Sequence, residues 1–187
     1  MNGERLARPC WWPILGCVIV IVVWIWWWPC AWPYRARPIT TVFVVRHADK
    51  ASPSADALDD PLGIARAAEL ARVLADAGVE AIYHSDTVRA QQTAAPLAGA
   101  LGLAPIEYPA PDVAALVDAL LADHRGERVL VVGHSNTVPD IVEELGGPAS
   151  ADLAESDHDD LLVVTLCPCS GDSPSIVRLE YGADTTP

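Results

Sequence analysis

Residues 42–47 read Val42-Phe43-Val44-Val45-Arg46-His47, an apolar and mostly β-branched run that ends abruptly in a cation and a histidine. A second run of the same design ends in another histidine, as Val129-Leu130-Val131-Val132-Gly133-His134. Short continuous apolar runs are typical of parallel strands that are buried on both faces of a sheet. Ligands of open α/β sheets bind beyond the carboxyl ends of such strands, so we expect the two imidazoles to lie in one crevice.

A third polar segment follows another short apolar run. It spans residues 85–93 and reads Ser85-Asp86-Thr87-Val88-Arg89-Ala90-Gln91-Gln92-Thr93. Its Arg89 and the Arg46 that precedes His47 carry planar, permanent charges, each able to bind two oxygens of an anion. Two guanidiniums and two histidines in one strand-end crevice predict a site for a phosphoryl group.

After residue 39, strand-like runs alternate with amphipathic segments of helical length. This alternation predicts a three-layer α/β fold, with a mostly parallel sheet and helices on both of its faces. We expect strands over 40–45, 81–83, 105–108, 128–132, 161–166 and 176–181. We expect helices from Pro61 to a stop at Gly78, and over 87–101, 113–122 and 137–145. The acidic segment 151–160 has the character of a loop, and the whole domain spans residues 40–187.

The N-terminal segment differs in composition from this domain. Residues 9–34 contain no charged side chain and hold all seven tryptophans of the chain. Such a stretch predicts a membrane-spanning helix with tryptophans at both interfaces, so we expect residues 1–33 to anchor the chain and residues 34–39 to form a linker. A cleaved secretory signal is the alternative, because Arg5 and Arg8 precede the apolar run. With an uncleaved anchor, we expect a single-pass membrane protein whose domain is extracytoplasmic.

The remainder of the chain is strongly acidic. Of the 25 acidic and 12 basic residues, one acidic and four basic residues precede Thr41, which leaves 24 against 8 and a net charge of −16. A domain of this charge repels nucleic acid and anionic lipid surfaces, so neither is expected as its partner. In such a domain Arg46 and Arg89 are local exceptions that attract an anion.

Three segments together resemble the signature of a known family. Arg46-His47-Ala48, the segment 85–93 and Gly133-His134-Ser135-Asn136 are similar to the three signature segments of the histidine phosphatase superfamily, in the same order. The resemblance spans roughly residues 40–166 and implies the phosphoglycerate-mutase-like fold. It also implies a phosphomonoester hydrolase that needs no metal or other cofactor. A small phosphorylated compound or a phosphoprotein is the implied substrate.

The resemblance implies a role for each matching residue. His47 corresponds to the nucleophile, which forms a phosphohistidine intermediate that water then hydrolyses. Arg46 and Arg89 correspond to the phosphate-binding arginines, and His134 to the second histidine, which supports the transferred oxygens as an imidazolium. Ser85 either contacts the phosphate or caps the helix that follows it.

The sequence departs from the commonest family pattern in two places. Ala48 stands where glycine is frequent, and its small side chain still leaves the phosphate site open. The acid that protonates the leaving oxygen is usually an acidic residue after the third strand or directly after the second histidine, where this chain has Ser135. Asp112 is therefore the first candidate for the acid, although its position also suits a helix N-cap. Glu107 is the second candidate, and Asp49 is a less favoured third.

Other functions are compatible with the same residues. The domain is alternatively a catalytically inactive, membrane-anchored phosphate-binding module, or a phosphotransferase of the phosphoglycerate mutase type. The short segments between the motifs argue against the latter, because mutases use larger insertions to retain a phosphorylated intermediate. A third alternative is a metal site built from His47, His134 and nearby carboxylates.

Overall fold

The computed structural model describes residues 38–52, 54–59, 61–149, 153–167 and 173–184. The predicted anchor, residues 1–33, lies outside these ranges, as does most of the predicted linker. Within the described residues, no helix is both long enough and apolar enough to cross a membrane. Membrane attachment therefore stays a prediction from the sequence.

Six strands and four helices make up the described part of the chain. The strands are β1 (Thr40–Arg46), β2 (Ala81–Ser85), β3 (Ile106–Tyr108), β4 (Arg128–Gly133), β5 (Asp160–Leu166) and β6 (Ser175–Glu180). The helices are α1 (Leu62–Leu74), α2 (Val88–Leu101), α3 (Val113–Asp123) and α4 (Thr137–Glu144). Every strand and helix predicted for residues 40–187 is present, and most of the predicted bounds agree to within one or two residues. Helix α1 ends four residues before Gly78, which has a positive φ of 70°.

The strands form one mixed sheet in the order β3-β2-β4-β1-β5-β6. The first four strands of this order pair in parallel. Strand β5 runs antiparallel to β1, and β6 runs antiparallel to β5. The expectation of a mostly parallel sheet is thus correct for four strands, whereas the last two form an antiparallel extension that their short connection permits.

Helices cover both faces of the sheet, as predicted. On one face, α1 and α2 pack on the alternate residues of the central strands that include Phe43, Val45, Leu130 and Val132. On the other face, α3 and α4 pack on the set that includes Val42, Val44, Val129 and Val131. Burial on both faces explains why these strands are continuously apolar rather than alternating.

The strand order determines where the functional side chains lie. Strands β2, β4 and β1 are neighbours, and the register places Arg46 beside Gly133 and His84 beside Val132. Because these strands are parallel, their carboxyl ends meet at one edge. The residues that follow them therefore share a single crevice.

Gly63 allows α1 to approach the loop that follows β1. A Cβ at position 63 would overlap the backbone carbonyl oxygen of Asp49. We expect Gly63→Ala to lower the free energy of unfolding by about 1–3 kcal/mol, because the helix and the loop must separate. Urea denaturation measures this loss.

Gly99 provides the matched control, since it lies in α2 with no atom within 4 Å of an added Cβ. We expect Gly99→Ala to stabilise the protein by about 0.5–1 kcal/mol through helix propensity. Equal effects of the two substitutions would contradict the close packing at Gly63.

Candidate active site

His47 lies directly after β1 and is 2% exposed. Its Nδ1 lies 2.8 Å from the carbonyl oxygen of Ala48. A carbonyl oxygen only accepts hydrogen bonds, so Nδ1 carries the proton and Nε2 holds a free electron pair. Burial, together with the neighbouring Arg46 and Arg89 charges, lowers the pKa of His47 to about 3. The imidazole is therefore neutral at physiological pH.

His134 lies directly after β4, and its ring centroid is 5.3 Å from that of His47. Arg89 donates from Nη2 to Nδ1 of His134 at 3.3 Å, because a guanidinium has no acceptor. The neutral ring therefore carries its proton on Nε2, which donates to Oγ of Ser85 at 2.8 Å. Burial and the charges of Arg89 and Arg46 lower the pKa of His134 to about 4. Without a bound anion, His134 is thus neutral rather than the expected imidazolium.

The guanidinium of Arg46 is 2% exposed and is held by the segment that precedes β5. Its Nη1 donates to the carbonyl oxygens of Ala154 at 2.7 Å and Asp157 at 3.0 Å. Its Nη2 donates to Oε2 of Glu155 at 3.0 Å. These three contacts fix the direction in which the rest of the guanidinium points.

Arg89 is held in a similar way from the other side. Its Nη1 donates to Oδ1 of Asp56 at 2.7 Å, and its Nη2 contacts His134. Asp56 also accepts from the backbone N–H of Val88 at 3.3 Å, which ties the loop 54–59 to the start of α2. Arg46 and Arg89 are therefore each paired with one carboxylate of a loop.

Both guanidiniums, those of Arg46 and Arg89, retain a buried Nε donor without a hydrogen-bond partner among the described residues. A buried N–H without an acceptor costs free energy, so an anion or an ordered water that accepts from these groups is favoured. Two such charged donors suit the binding of a tetrahedral oxyanion.

Two threonine side chains connect helices α2 and α4 to the backbone near the two histidines. Thr93 of α2 accepts from the backbone N–H of Ala48 at 2.9 Å and donates to the carbonyl of Arg89 at 2.8 Å. Thr137 of α4 accepts from the backbone N–H of His134 at 2.9 Å. The histidines are thus positioned by helix residues that are themselves buried.

The sequence does not reveal the part played by the segment 153–159. Its carbonyls hold Arg46, and Nδ1 of its His158 donates to the carbonyl oxygen of His47 at 3.0 Å. The ring centroids of His158 and His47 are 5.6 Å apart. No apolar run or strand end precedes His158, so the only local signal for this position is a histidine within an acidic loop.

Within the described residues, no group of three or more His, Cys, Asp or Glu side chains is arranged to hold a metal ion. The two histidines instead contact an arginine, a serine and a backbone carbonyl. Positive charges at both sides of the crevice favour an anion over a cation.

The first and second signature segments lie within a region that matches a family model. The model of the histidine phosphatase superfamily (branch 1) matches residues 42–110. The resemblance to the histidine phosphatase superfamily is confirmed. None of the curated proteins matches the chain.

Solved structures of low sequence identity share the fold of this domain. The protein histidine phosphatase SixA complexed with tungstate is 23% identical with a TM-score of 0.57, over 75% of this chain and 96% of that chain. Phosphoglycerate mutase from Plasmodium falciparum is 22% identical with a TM-score of 0.52, and the match covers 78% of this chain and 91% of that chain. Phosphoserine phosphatase from Entamoeba histolytica, in complex with 3-phosphoglyceric acid, is 14% identical with a TM-score of 0.53. That match covers 78% of this chain and 98% of the other. At these identities the likeness establishes the fold alone.

The crevice brings together four of the predicted residues, namely His47, His134, Arg46 and Arg89. Ser85 joins them through its contact with His134, whereas the cap of α2 is Thr87, whose side chain accepts from the N–H of Ala90. The alternative in which Ser85 caps this helix is therefore wrong.

The predicted acids lie in other environments. Asp112 is the N-cap of α3 and accepts from the N–H of Ala115 at 3.3 Å. Asp49 accepts from Nε of the buried Arg66 at 2.7 Å, which ties the loop after β1 to α1. Glu107 pairs across β3 and β2 with His84, one residue away from Ser85. Because neighbouring residues of a strand face opposite sides, Glu107 lies on the side of the sheet away from Ser85.

The buried histidines predict a loss of stability in acid. The folded pKa of His134 is about 4, whereas its ordinary value is 6.5. Between these values the unfolded chain binds a proton that the folded chain does not, so stability falls as the pH drops below 6.5 and levels off below 4. For His134 alone, the loss of unfolding free energy by pH 4 amounts to about 3 kcal/mol.

A comparison with His134→Gln isolates this effect. Asp157 acts in the opposite direction, because burial raises its pKa to about 6, and its contribution cancels when two variants are compared at the same pH. We expect the stability advantage of the wild type over His134→Gln, measured by urea denaturation, to shrink by about 3 kcal/mol between pH 7 and pH 4. An advantage that stays constant with pH would contradict a neutral, buried His134.

Proposed function

We propose that this domain is a phosphomonoester hydrolase that acts through a phosphohistidine intermediate on His47. The observation that carries the proposal is the orientation of its imidazole. The proton on Nδ1 is committed to the Ala48 carbonyl, which leaves the Nε2 electron pair for attack beside two unpartnered guanidinium donors. This combination of nucleophile and anion-binding donors serves phosphoryl transfer.

The arginines bind the phosphoryl group and neutralise its charge during transfer. The Nε–H groups of Arg46 and Arg89 donate to its oxygens, while their Nη groups stay on the protein acceptors that orient them. Because the guanidinium charges are permanent, they supply the stabilisation that Mg²⁺ supplies in many other phosphotransferases. The reaction is accordingly proposed to be independent of metal ions.

The reaction proceeds in two displacements at phosphorus. In the first, Nε2 of His47 forms the N–P bond, the ester P–O bond breaks, and the leaving oxygen takes up a proton. In the second, water forms a P–O bond, the N–P bond breaks, and the water loses a proton. A bound phosphoryl dianion raises the pKa of His134, since opposite charge favours the imidazolium, so the ring gains a charge when the substrate arrives.

Turnover of p-nitrophenyl phosphate by the full chain, with and without EDTA, tests this function. We expect release of p-nitrophenolate at the same rate in both conditions. Binding of tungstate without turnover would instead identify an inactive phosphate-binding module. Inhibition by EDTA that is reversed by a divalent metal would identify a metal-dependent enzyme.

A further inference from the structure

Glu155 contacts a sequence neighbour of each of the two histidines. Its Oε2 accepts from Nη2 of Arg46 at 3.0 Å, and its Oε1 accepts from Oγ of Ser135 at 2.9 Å. Arg46 directly precedes His47, and Ser135 directly follows His134. The carboxylate therefore bridges the residues next to both imidazoles.

The backbone holds Glu155 in this place. The adjacent Ala154 carbonyl accepts from Arg46, and the N–H of Leu153 donates to the carbonyl of Ser135 at 2.9 Å. The carboxylate itself is 76% exposed, so it exchanges protons with solvent. It is thus oriented by the buried Arg46 and by Ser135, and it is open to solvent.

We propose that Glu155 is the acid–base residue of the phosphatase reaction. This inference rests on the proposed function, and it replaces Asp112, Glu107 and Asp49 in that role. Glu155 is hydrogen-bonded to Ser135, the residue that directly follows the second histidine, His134. There it lies next to the guanidinium that binds the phosphoryl group.

The other carboxylates near the crevice are committed elsewhere. Asp49 is bound to Arg66, Asp112 caps α3, and Glu107 lies on the other side of the sheet from Ser85. Asp56 contacts Arg89 and the backbone N–H of Val88 at the start of α2, and neither of these contacts is with a residue next to His47 or His134. Only Glu155, among the carboxylates whose contacts the structure describes, contacts the neighbours of both histidines.

Glu155 donates one proton and accepts one proton in each reaction cycle. In the first displacement, protonated Glu155 transfers its proton to the leaving oxygen as the P–O bond breaks. In the second, the Glu155 carboxylate accepts a proton from the attacking water as the N–P bond breaks, and the residue returns to its initial state. The hydrogen bond from Ser135 and the Arg46 charge lower the pKa of Glu155 in the anion-free protein. A bound phosphoryl dianion opposes this effect, because it neutralises Arg46 and repels a second negative charge.

The dependence of the rate on the leaving group tests the proposal. Glycerol phosphate has an alkoxide leaving group that requires a proton, whereas 2,4-dinitrophenolate leaves without one. We expect Glu155→Gln to lower kcat/KM for glycerol phosphate by about 100-fold and for 2,4-dinitrophenyl phosphate by no more than about threefold, since kcat/KM reports the step that breaks the ester bond. The slow second displacement should also produce a burst of dinitrophenolate.

Asp56→Asn is the matched control, because it removes the equivalent carboxylate from the other arginine. We expect it to change kcat/KM for both esters by the same factor. If Glu155→Gln also changed kcat/KM for both esters by the same factor, the assignment would be overturned. Glu155 would then be a residue that only positions Arg46. Failure of the wild type to hydrolyse either ester would overturn the proposed function itself, and the two failures are thereby distinguishable.

Discussion

Replacement of His47 by asparagine is expected to lower kcat/KM for p-nitrophenyl phosphate by about four orders of magnitude or more, because the attacking nitrogen is lost. The amide of asparagine still donates to the Ala48 carbonyl in place of Nδ1, so the local backbone contact is retained. A steady-state assay of nitrophenolate release measures the effect. Circular dichroism of the variant checks that the fold is intact.

His84→Asn is the control for this substitution. His84 is 4% exposed, lies at the end of β2, and contacts the carbonyl of Ser85 through Nδ1 at 2.8 Å, which is the same local geometry as at His47. It lies one residue before Ser85 and therefore faces the other side of the sheet. We expect His84→Asn to retain activity within about threefold, as it removes no group that contacts the substrate. Similar losses for both variants would mean that His47 acts through structure alone.

Arg89→Ala is expected to lower kcat/KM by about 10²–10³-fold, the cost of removing a donor that stabilises charge in a transition state. The substitution removes the unpartnered Nε donor and also the contact with Nδ1 of His134. The Kd of tungstate, a tetrahedral oxyanion, should rise in the same variant, because the binding of the anion loses a charged donor. Isothermal titration calorimetry measures that change.

Arg72→Ala provides the comparison for the loss of a positive charge. Arg72 is exposed on α1 and pairs with Glu69 at 2.7 Å, so its removal alters the net charge without affecting the crevice. We expect kcat/KM and the Kd of tungstate to stay within about twofold of the wild type, since exposed ion pairs contribute little. If Arg72→Ala weakened tungstate binding as much as Arg89→Ala, general electrostatic attraction rather than a specific site would explain the affinity.

The sequence was sufficient to predict the sheet and the central part of the site. The runs 42–45 and 129–132 are apolar at every position because helices cover both faces of the sheet. A continuous apolar run can be recognised in the sequence of the strand alone. The convergence of His47 and His134 follows from the general behaviour of parallel strands, whose carboxyl ends share an edge. Both predictions use information contained in short segments.

Other features depend on contacts between distant parts of the chain. Glu155 and His158 reach β1 across more than one hundred residues, and Asp56 reaches Arg89 across 33 residues. A loop without hydrophobic periodicity gives no indication of such contacts. The antiparallel direction of β5 likewise follows from its pairing with β1, which the residues of β5 do not specify.

The role of Ser85 was ambiguous for a local reason. Serine is a common N-cap residue, so its position before α2 suited a helix cap as well as a contact in the crevice. The structure resolves the choice because β2 extends through Ser85, and that strand directs the Ser85 hydroxyl to His134 while Thr87 caps the helix.

Trapping of the covalent intermediate shows whether His47 carries the phosphoryl group during turnover. The wild type is mixed with 2,4-dinitrophenyl phosphate and quenched in alkali, in which a phosphohistidine survives, and its peptides are analysed by mass spectrometry. We expect a phosphate on His47 in the wild type and none in His47→Asn. A phosphate on His134 or His158, or rapid turnover with no labelled histidine, would contradict it.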